Sequence, residues 1–179
     1  KHRGNGAIKI KNCSNGVFGC APWQNFADEK RCIPLVRRND NAEYVICFDG
    51  LIYNFSELKG ELNKKGVDAE EFSDEEAVLE AYIIWGAGCL KKLNGVFAFA
   101  IWNAEKAELF LARDRFGIKP LYYTVKNGCF IFASEIKGIL AHPAVNAVLD
   151  KKGICEVLGL GPAQTQGLGI FKDINEILP

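Results

Sequence analysis

The segment 96–102 (VFAFAIW) is apolar at every position. Successive residues of a strand face opposite sides, so a strand apolar throughout must be covered on both faces. Further strand-length apolar segments follow at 109–112, 121–125 and 130–133. Short turns of strong turn formers, Asn103-Ala104-Glu105-Lys106 and Lys126-Asn127-Gly128, separate members of this series. Links of that length join antiparallel neighbours, since a parallel crossover needs a dozen residues or more. The weakly alternating 6–11 and the compact apolar run 44–48 add strands earlier in the chain.

The middle of the chain reads as helical. Phe55, Leu58 and Leu62 share one face at helical spacing, with an end near Gly66. Ser73-Asp74-Glu75-Glu76 has the form of a capping box and leads into Val78, Leu79, Tyr82 and Ile83. Ser134 is placed to cap a short helix through Ile136, Ile139 and Leu140. Asp150 is placed to cap another through Ile154, Val157 and Leu158, closed by Gly159. Strands, two helices and more strands make an α+β pattern in which helices cover sheet faces. No internal repeat is visible.

With 179 residues the chain is long enough for one domain with a real core. Lys plus Arg and Asp plus Glu balance at 22 each, so overall charge gives no case for nucleic acid as a partner. No apolar stretch approaches the roughly 20 residues of a membrane helix, and Lys1-His2-Arg3-Gly4 is not the start of a secretory signal. Seven cysteines, an odd number without such a signal, point to reduced thiols and a cytoplasmic location. No Cys-x-x-Cys occurs and the two histidines, His2 and His142, stand far apart, so no metal site is expected. Cys47, Cys89 and Cys129 lie in apolar stretches and are expected to act as small core residues. The chain opens on Lys and ends on Leu178-Pro179, and a longer parent chain is expected on both sides.

Two segments attract a functional reading. Arg113 to Tyr123 (RDRFGIKPLYY) packs four charges between apolar segments without the alternation of a solvated strand. Its charges are expected to reach internal partners or another domain; a charged hairpin loop is the simpler alternative. The Gly-rich 159–169 lacks the Gly-Lys-Ser/Thr ending of a phosphate loop and reads as a linker or surface loop.

The turn Phe48-Asp49-Gly50-Leu51-Ile52-Tyr53-Asn54 is the candidate site. A glycine just after an apolar strand leaves backbone N–H groups open to close approach by a ligand. Such groups stabilise an oxyanion when a side-chain donor joins them. An Asp-Gly turn is the plain alternative.

In order, these pieces resemble one family. Asp49-Gly50-Leu51-Ile52-Tyr53-Asn54, the following Phe-Ser-Glu-Leu, Ser73-Asp74-Glu75-Glu76, 93–102 (LNGVFAFAIW), the run from Arg113 and 132–137 (FASEIK) resemble the class II glutaminase domain of glutamine-dependent asparagine synthetases. His2-Arg3-Gly4 is similar to the start of the family's HRGPD motif. The resemblance covers nearly the whole chain. It implies an N-terminal-nucleophile hydrolase fold, a four-layer αββα sandwich with two antiparallel sheets. It also implies a glutaminase-like domain over 1–148 and an exit segment over 149–179 leading to a synthetase domain. That domain, in cis or in trans, is the expected partner and would hold the ATP and Mg; no cofactor is expected in this one. The family is an amide ligase, and a homodimer is the candidate assembly.

In the family an N-terminal cysteine attacks the glutamine amide with its own amine as base. An asparagine and the following glycine N–H form the oxyanion hole. An arginine holds the substrate carboxylate, and a glutamate and an aspartate hold its amino group. Carried over residue by residue, the catalytic set is empty. The nucleophile would lie before the first residue, and none of the seven cysteines inherits its role. Asp49 stands where the oxyanion asparagine belongs, and an ionised carboxylate only accepts hydrogen bonds. Gly50 matches and Asp74 matches. Leu51 replaces the amine-binding glutamate, and gapless spacing from His2 puts Pro22 at the arginine. The resemblance therefore implies a degenerate glutaminase: a domain supplying ammonia by descent, inactive as given, with glutamine a doubtful ligand. The alternative is a non-catalytic scaffold that docks a synthetase or cyclase partner. Asp74 also has a plain reading as a helix-start residue favoured by the macrodipole.

Overall fold

In the computed structural model, residues 7–21, 34–39, 42–161, 165, 167 and 169–179 are described. The chain divides into two compact units, 1–111 and 112–179. The α+β expectation holds. Among the described residues the strands form three small sheets, of two, four and three strands.

The first unit is built on a four-stranded sheet in the order β3-β4-β5-β6, formed by Leu35–Asn39, Ala42–Ile52, Gly95–Asn103 and the start of Glu108–Arg113. β4 runs antiparallel to both β3 and β5. Its two faces are covered differently. Phe48 and its cross-strand partner Phe99 lie on one face; Phe99 meets Phe110 of β6, on which Tyr82 stacks at 4.9 Å between ring centres. Tyr82 belongs to α2 (Asp74–Trp85), so this face is the helix side, with α1 (Phe55–Asn63) against α2. Val45 and its partner Trp102 lie on the other face, where Trp102 meets Phe18. Phe18 comes from the hairpin of β1 (Lys9–Cys13) and β2 (Gly16–Cys20). β5 is therefore buried on both sides from Phe97 to Asn103, as its unbroken apolar run requires.

Helix α2 starts as its sequence predicts. Ser73 is the N-cap, and the reciprocal bonds with Glu76 complete a capping box. The Asn103 turn is closed by its own carboxamide oxygen, which accepts from the N–H groups of Glu105 and Lys106.

In the second unit β7 (Tyr122–Lys126) pairs with β8 (Cys129–Ala133) and with the two-residue β9 (Asn175–Glu176). Asn127 and Gly128 both have positive φ, 51° and 77°, as a tight hairpin turn demands. Tyr123 stacks on Phe130, which is sheet packing. α3 (Ile136–Leu140) packs on β7 and β8, with Ile139, Val145 and Ile174 as the buried centre. The N-cap position of α3 is Glu135 rather than Ser134, and the Glu135 side chain makes no capping bond. The extended backbone of β8 carries through Ala133 and delays the helix by one residue more than the Ser position suggests. Asp150 does cap α4 (Lys151–Gly159), accepting from Lys152 and Gly153 N–H.

The first two charges of the run, Arg113 and Asp114, find internal partners. Arg113 Nη1 donates to Glu176 Oε1 at 2.6 Å and to the carbonyl of Ile177 at 2.9 Å; Nη2 donates to the carbonyl of Gly117. Asp114, 1% exposed, accepts from the N–H groups of Phe116, Ile118 and Lys119. One residue thus draws the chain's last strand in, and the next shapes the loop. Cys129 departs from its core expectation: it is exposed, because β8 begins there at the hairpin turn. Cys89 is buried, and burial pushes its thiol up to about 11.

Candidate functional site

The candidate residues sit at the end of β4 and the start of α2. Strand alternation puts Cys47, Asp49 and Leu51 on the hairpin side of the sheet, and Phe48, Gly50 and Ile52 on the helix side. The hairpin cover thins along the strand. Val45 is fully buried, Asp49 is half-buried and Leu51 is 51% exposed.

Asp74 approaches from the first turn of α2. Its Oδ2 accepts the backbone N–H of Ile52 at 2.9 Å. The strand end Asp49-Gly50-Leu51-Ile52 and Asp74 are therefore one local assembly. The same bond enlarges the plain reading of Asp74. Besides starting a helix, its carboxylate fastens that helix to β4. Ser73, immediately before it, closes the capping box, so the backbone that presents Asp74 is itself held.

Gly50 has a structural reason of its own. A Cβ there would stand 2.3 Å from the Val96 carbonyl oxygen and 2.7 Å from Phe97 Cα. Gly95, paired with Ile52, is in the same position: its Cβ would stand 2.2 Å from the Leu51 oxygen. Two glycines on facing strands let β4 and β5 approach closely at the candidate site.

Asn54 clamps the far side of the turn. Its Nδ2 donates to the Lys92 carbonyl and its Oδ1 accepts the Asn94 N–H, both at 2.9 Å, while Tyr53 N–H donates to the Asn94 carbonyl at 2.7 Å. The turn read as a ligand-binding element is thus a fixed one. Sequence reasoning gives Asn54 no role. An Asn after a strand is its only local signal, and the partners lie 38 and 40 positions away.

Pro22 and His2-Arg3-Gly4 lie outside the described residues. Among the described residues no group of three His, Cys, Asp or Glu side chains is placed to hold a metal ion, and no helix is long and apolar enough to cross a membrane.

Cys47, beside Asp49 on the hairpin side, has a neighbour that its sequence does not announce. Its thiol is hydrogen-bonded to Cys20 of β2, and that bond first, then burial, pushes it above the ordinary thiol range. Cys13 is also raised, by burial, with Lys11 opposing and Glu43 adding.

Residues 27–179 match the family model described as glutamine amidotransferase domain. The chain is 48% identical over 136 residues to asparagine synthetase [glutamine-hydrolyzing] 3 of Bacillus subtilis, covering 76% of this chain and 22% of that protein. It is 46% identical over 101 residues to asparagine synthetase [glutamine-hydrolyzing] 1 of the same organism, covering 56% of this chain and 16% of that one. The chain thus spans about a fifth of the length of these relatives. Among solved structures it is similar to the glutamine phosphoribosylpyrophosphate amidotransferase of B. subtilis, with a TM-score of 0.59 and 22% identity over 69% of this chain and 28% of that one. That likeness is one of fold. The chain belongs to the glutamine amidotransferase domain family and is related to the corresponding part of glutamine-hydrolysing asparagine synthetases.

Proposed function

We propose that this chain is the glutaminase-type part of an asparagine synthetase-like amidotransferase whose glutamine pocket has lost its recognition chemistry. The observation that carries this reading is the assembly of Asp74 with the strand end Asp49-Gly50-Leu51-Ile52. It keeps the framework of such a pocket while two of its working positions hold the wrong chemistry. At Asp49 a group that only accepts hydrogen bonds when ionised faces the place of an oxyanion. At Leu51 an apolar side chain stands where a carboxylate would meet an ammonium. Loss of one oxyanion donor alone costs about 3–4 kcal/mol of barrier.

On this reading Asp74 keeps a structural task after the substrate task has gone. The four-layer αββα sandwich, the division at 148/149 and the cytoplasmic setting belong to the same proposal and rest on the family resemblance. So does the partner, a synthetase domain in cis or in trans that holds ATP and Mg and takes its nitrogen as free ammonia. The domain's remaining part would be to dock and shape that partner.

The test is the nitrogen source of the complete protein. Amide formation with ammonium salts and no ammonia release from glutamine is the expected pattern. Ammonia release from glutamine by the unaltered complete protein would overturn the reading.

A further inference from the structure

We propose that Cys20 and Cys47 form a reversible disulfide that staples the β1–β2 hairpin to the four-stranded sheet, on the face that carries Asp49 and Leu51. The proposal is independent of whether that face still binds glutamine.

The placement follows from strand register. In the hairpin, Lys9, Lys11, Cys13, Phe18 and Cys20 share one face, since Lys9 pairs with Cys20 and Lys11 with Phe18. Phe18 meets Trp102, so this is the face turned to the sheet. Cys47 lies on the sheet face turned to the hairpin, cross-strand from Ala100 and two residues from both Val45 and Asp49. β2 lies against β4, and the two thiols are already hydrogen-bonded. Both are half-buried rather than sealed, so a small oxidant can reach them. Cys89 is sealed, while Cys129 and Cys155 are exposed.

The bond forms by thiol–disulfide exchange. Cys20, its proton released to solvent, attacks one sulfur of a low-molecular-weight disulfide. That breaks the small disulfide's S–S bond, forms a mixed disulfide at Cys20 and expels one thiolate, which takes up the Cys47 proton. The Cys47 thiolate then attacks the Cys20 sulfur and expels the second thiolate. The protein dithiol loses two electrons and two protons, and the small disulfide is reduced to two thiols. The new bond closes the segment 20–47 and fixes the hairpin over the Val45–Cys47 end of β4.

The experiment uses the full 179-residue chain. It is incubated with oxidised glutathione, its remaining thiols are alkylated, and it is digested without reduction for peptide mapping by mass spectrometry. The expected result is a peptide linking Cys20 to Cys47 that dithiothreitol abolishes, with a higher Tm for the oxidised chain. Cys47→Ser and Cys20→Ser are each expected to abolish this linked peptide. A linkage of either residue to Cys13 or Cys32 instead would overturn the proposal. So would full alkylation of Cys20 and Cys47 under conditions that modify Cys129 and Cys155. The map of the unaltered chain decides the matter even if a serine variant fails to fold.

Discussion

The backbone N–H of Ile52 donates to Asp74 Oδ2 at 2.9 Å across 22 positions of sequence. That bond joins the end of β4 to the start of α2 and makes Asp74 a structural residue, whatever it binds. Asp74→Ala leaves the buried N–H unpaired and is expected to destabilise the chain by about 1–3 kcal/mol. Asp74→Asn keeps an acceptor and should cost less. Urea unfolding of the three proteins checks this; equal midpoints for Asp74→Ala and the unaltered chain would leave Asp74 with no structural task.

The close approach of β4 and β5 gives a second prediction. Gly50→Ala and Gly95→Ala each drive a methyl against a carbonyl oxygen of the facing strand, at 2.3 and 2.2 Å. Backbone must move, and a loss of about 1–3 kcal/mol or more is expected for either. Gly60, where an added Cβ meets nothing within 4 Å in α1, is the control: Gly60→Ala should stabilise. Thermal unfolding separates the two classes.

Arg113 gives a third. Its guanidinium is nearly sealed and bonds Glu176 and two carbonyls. Arg113→Met would strand the Glu176 carboxylate and release β9, at a cost of about 3–5 kcal/mol if the pair behaves as buried. Glu176 is partly open, so the lower end applies. Arg113→Lys keeps the charge but loses the fork, and should recover only part of the loss. Hydrogen exchange at Ile177, whose N–H donates to Leu121, would report the release locally.

Acid offers a fourth. The hydrogen bond from Arg38, more than its charge or that of Lys11, holds the Glu43 carboxyl below its ordinary value. A depressed folded pKa stabilises above the unfolded value, near about 4.3, and that stability is lost as pH falls through the folded one. Glu43→Gln should therefore flatten the decline in stability below about pH 4 and leave the slope at neutral pH unchanged. The pair is exposed enough that the effect is small.

How much of this is legible in the sequence depends on range. β5 to β8 and the starts of α2 and α4 can be read because alternation, hairpin turns and caps are local signals. β2 and β3 cannot: Gly16-Val17-Phe18-Gly19-Cys20 is short and glycine-broken, and Leu35-Val36-Arg37-Arg38-Asn39 is half polar. Arg37 and Arg38 are explained only by partners elsewhere, Glu80 and Glu43. The site divides in the same way. The motif order gives Asp49, Gly50, Leu51 and Asp74 as a set. The Ile52 bond, the Asn54 clamp and the Cys20–Cys47 contact are products of the fold. Cys129 shows the opposite error, since an apolar neighbourhood in sequence lies at an exposed hairpin end in space.

On the proposed reading, the framework of a glutamine site survives here while its recognition chemistry does not. Titration calorimetry of the full chain with glutamine tests it most directly. No saturable binding tighter than about 1 mM is expected, with a gain on the Asp49→Asn/Leu51→Glu double substitution. Saturable binding of glutamine by the unaltered chain below about 0.1 mM would contradict the account.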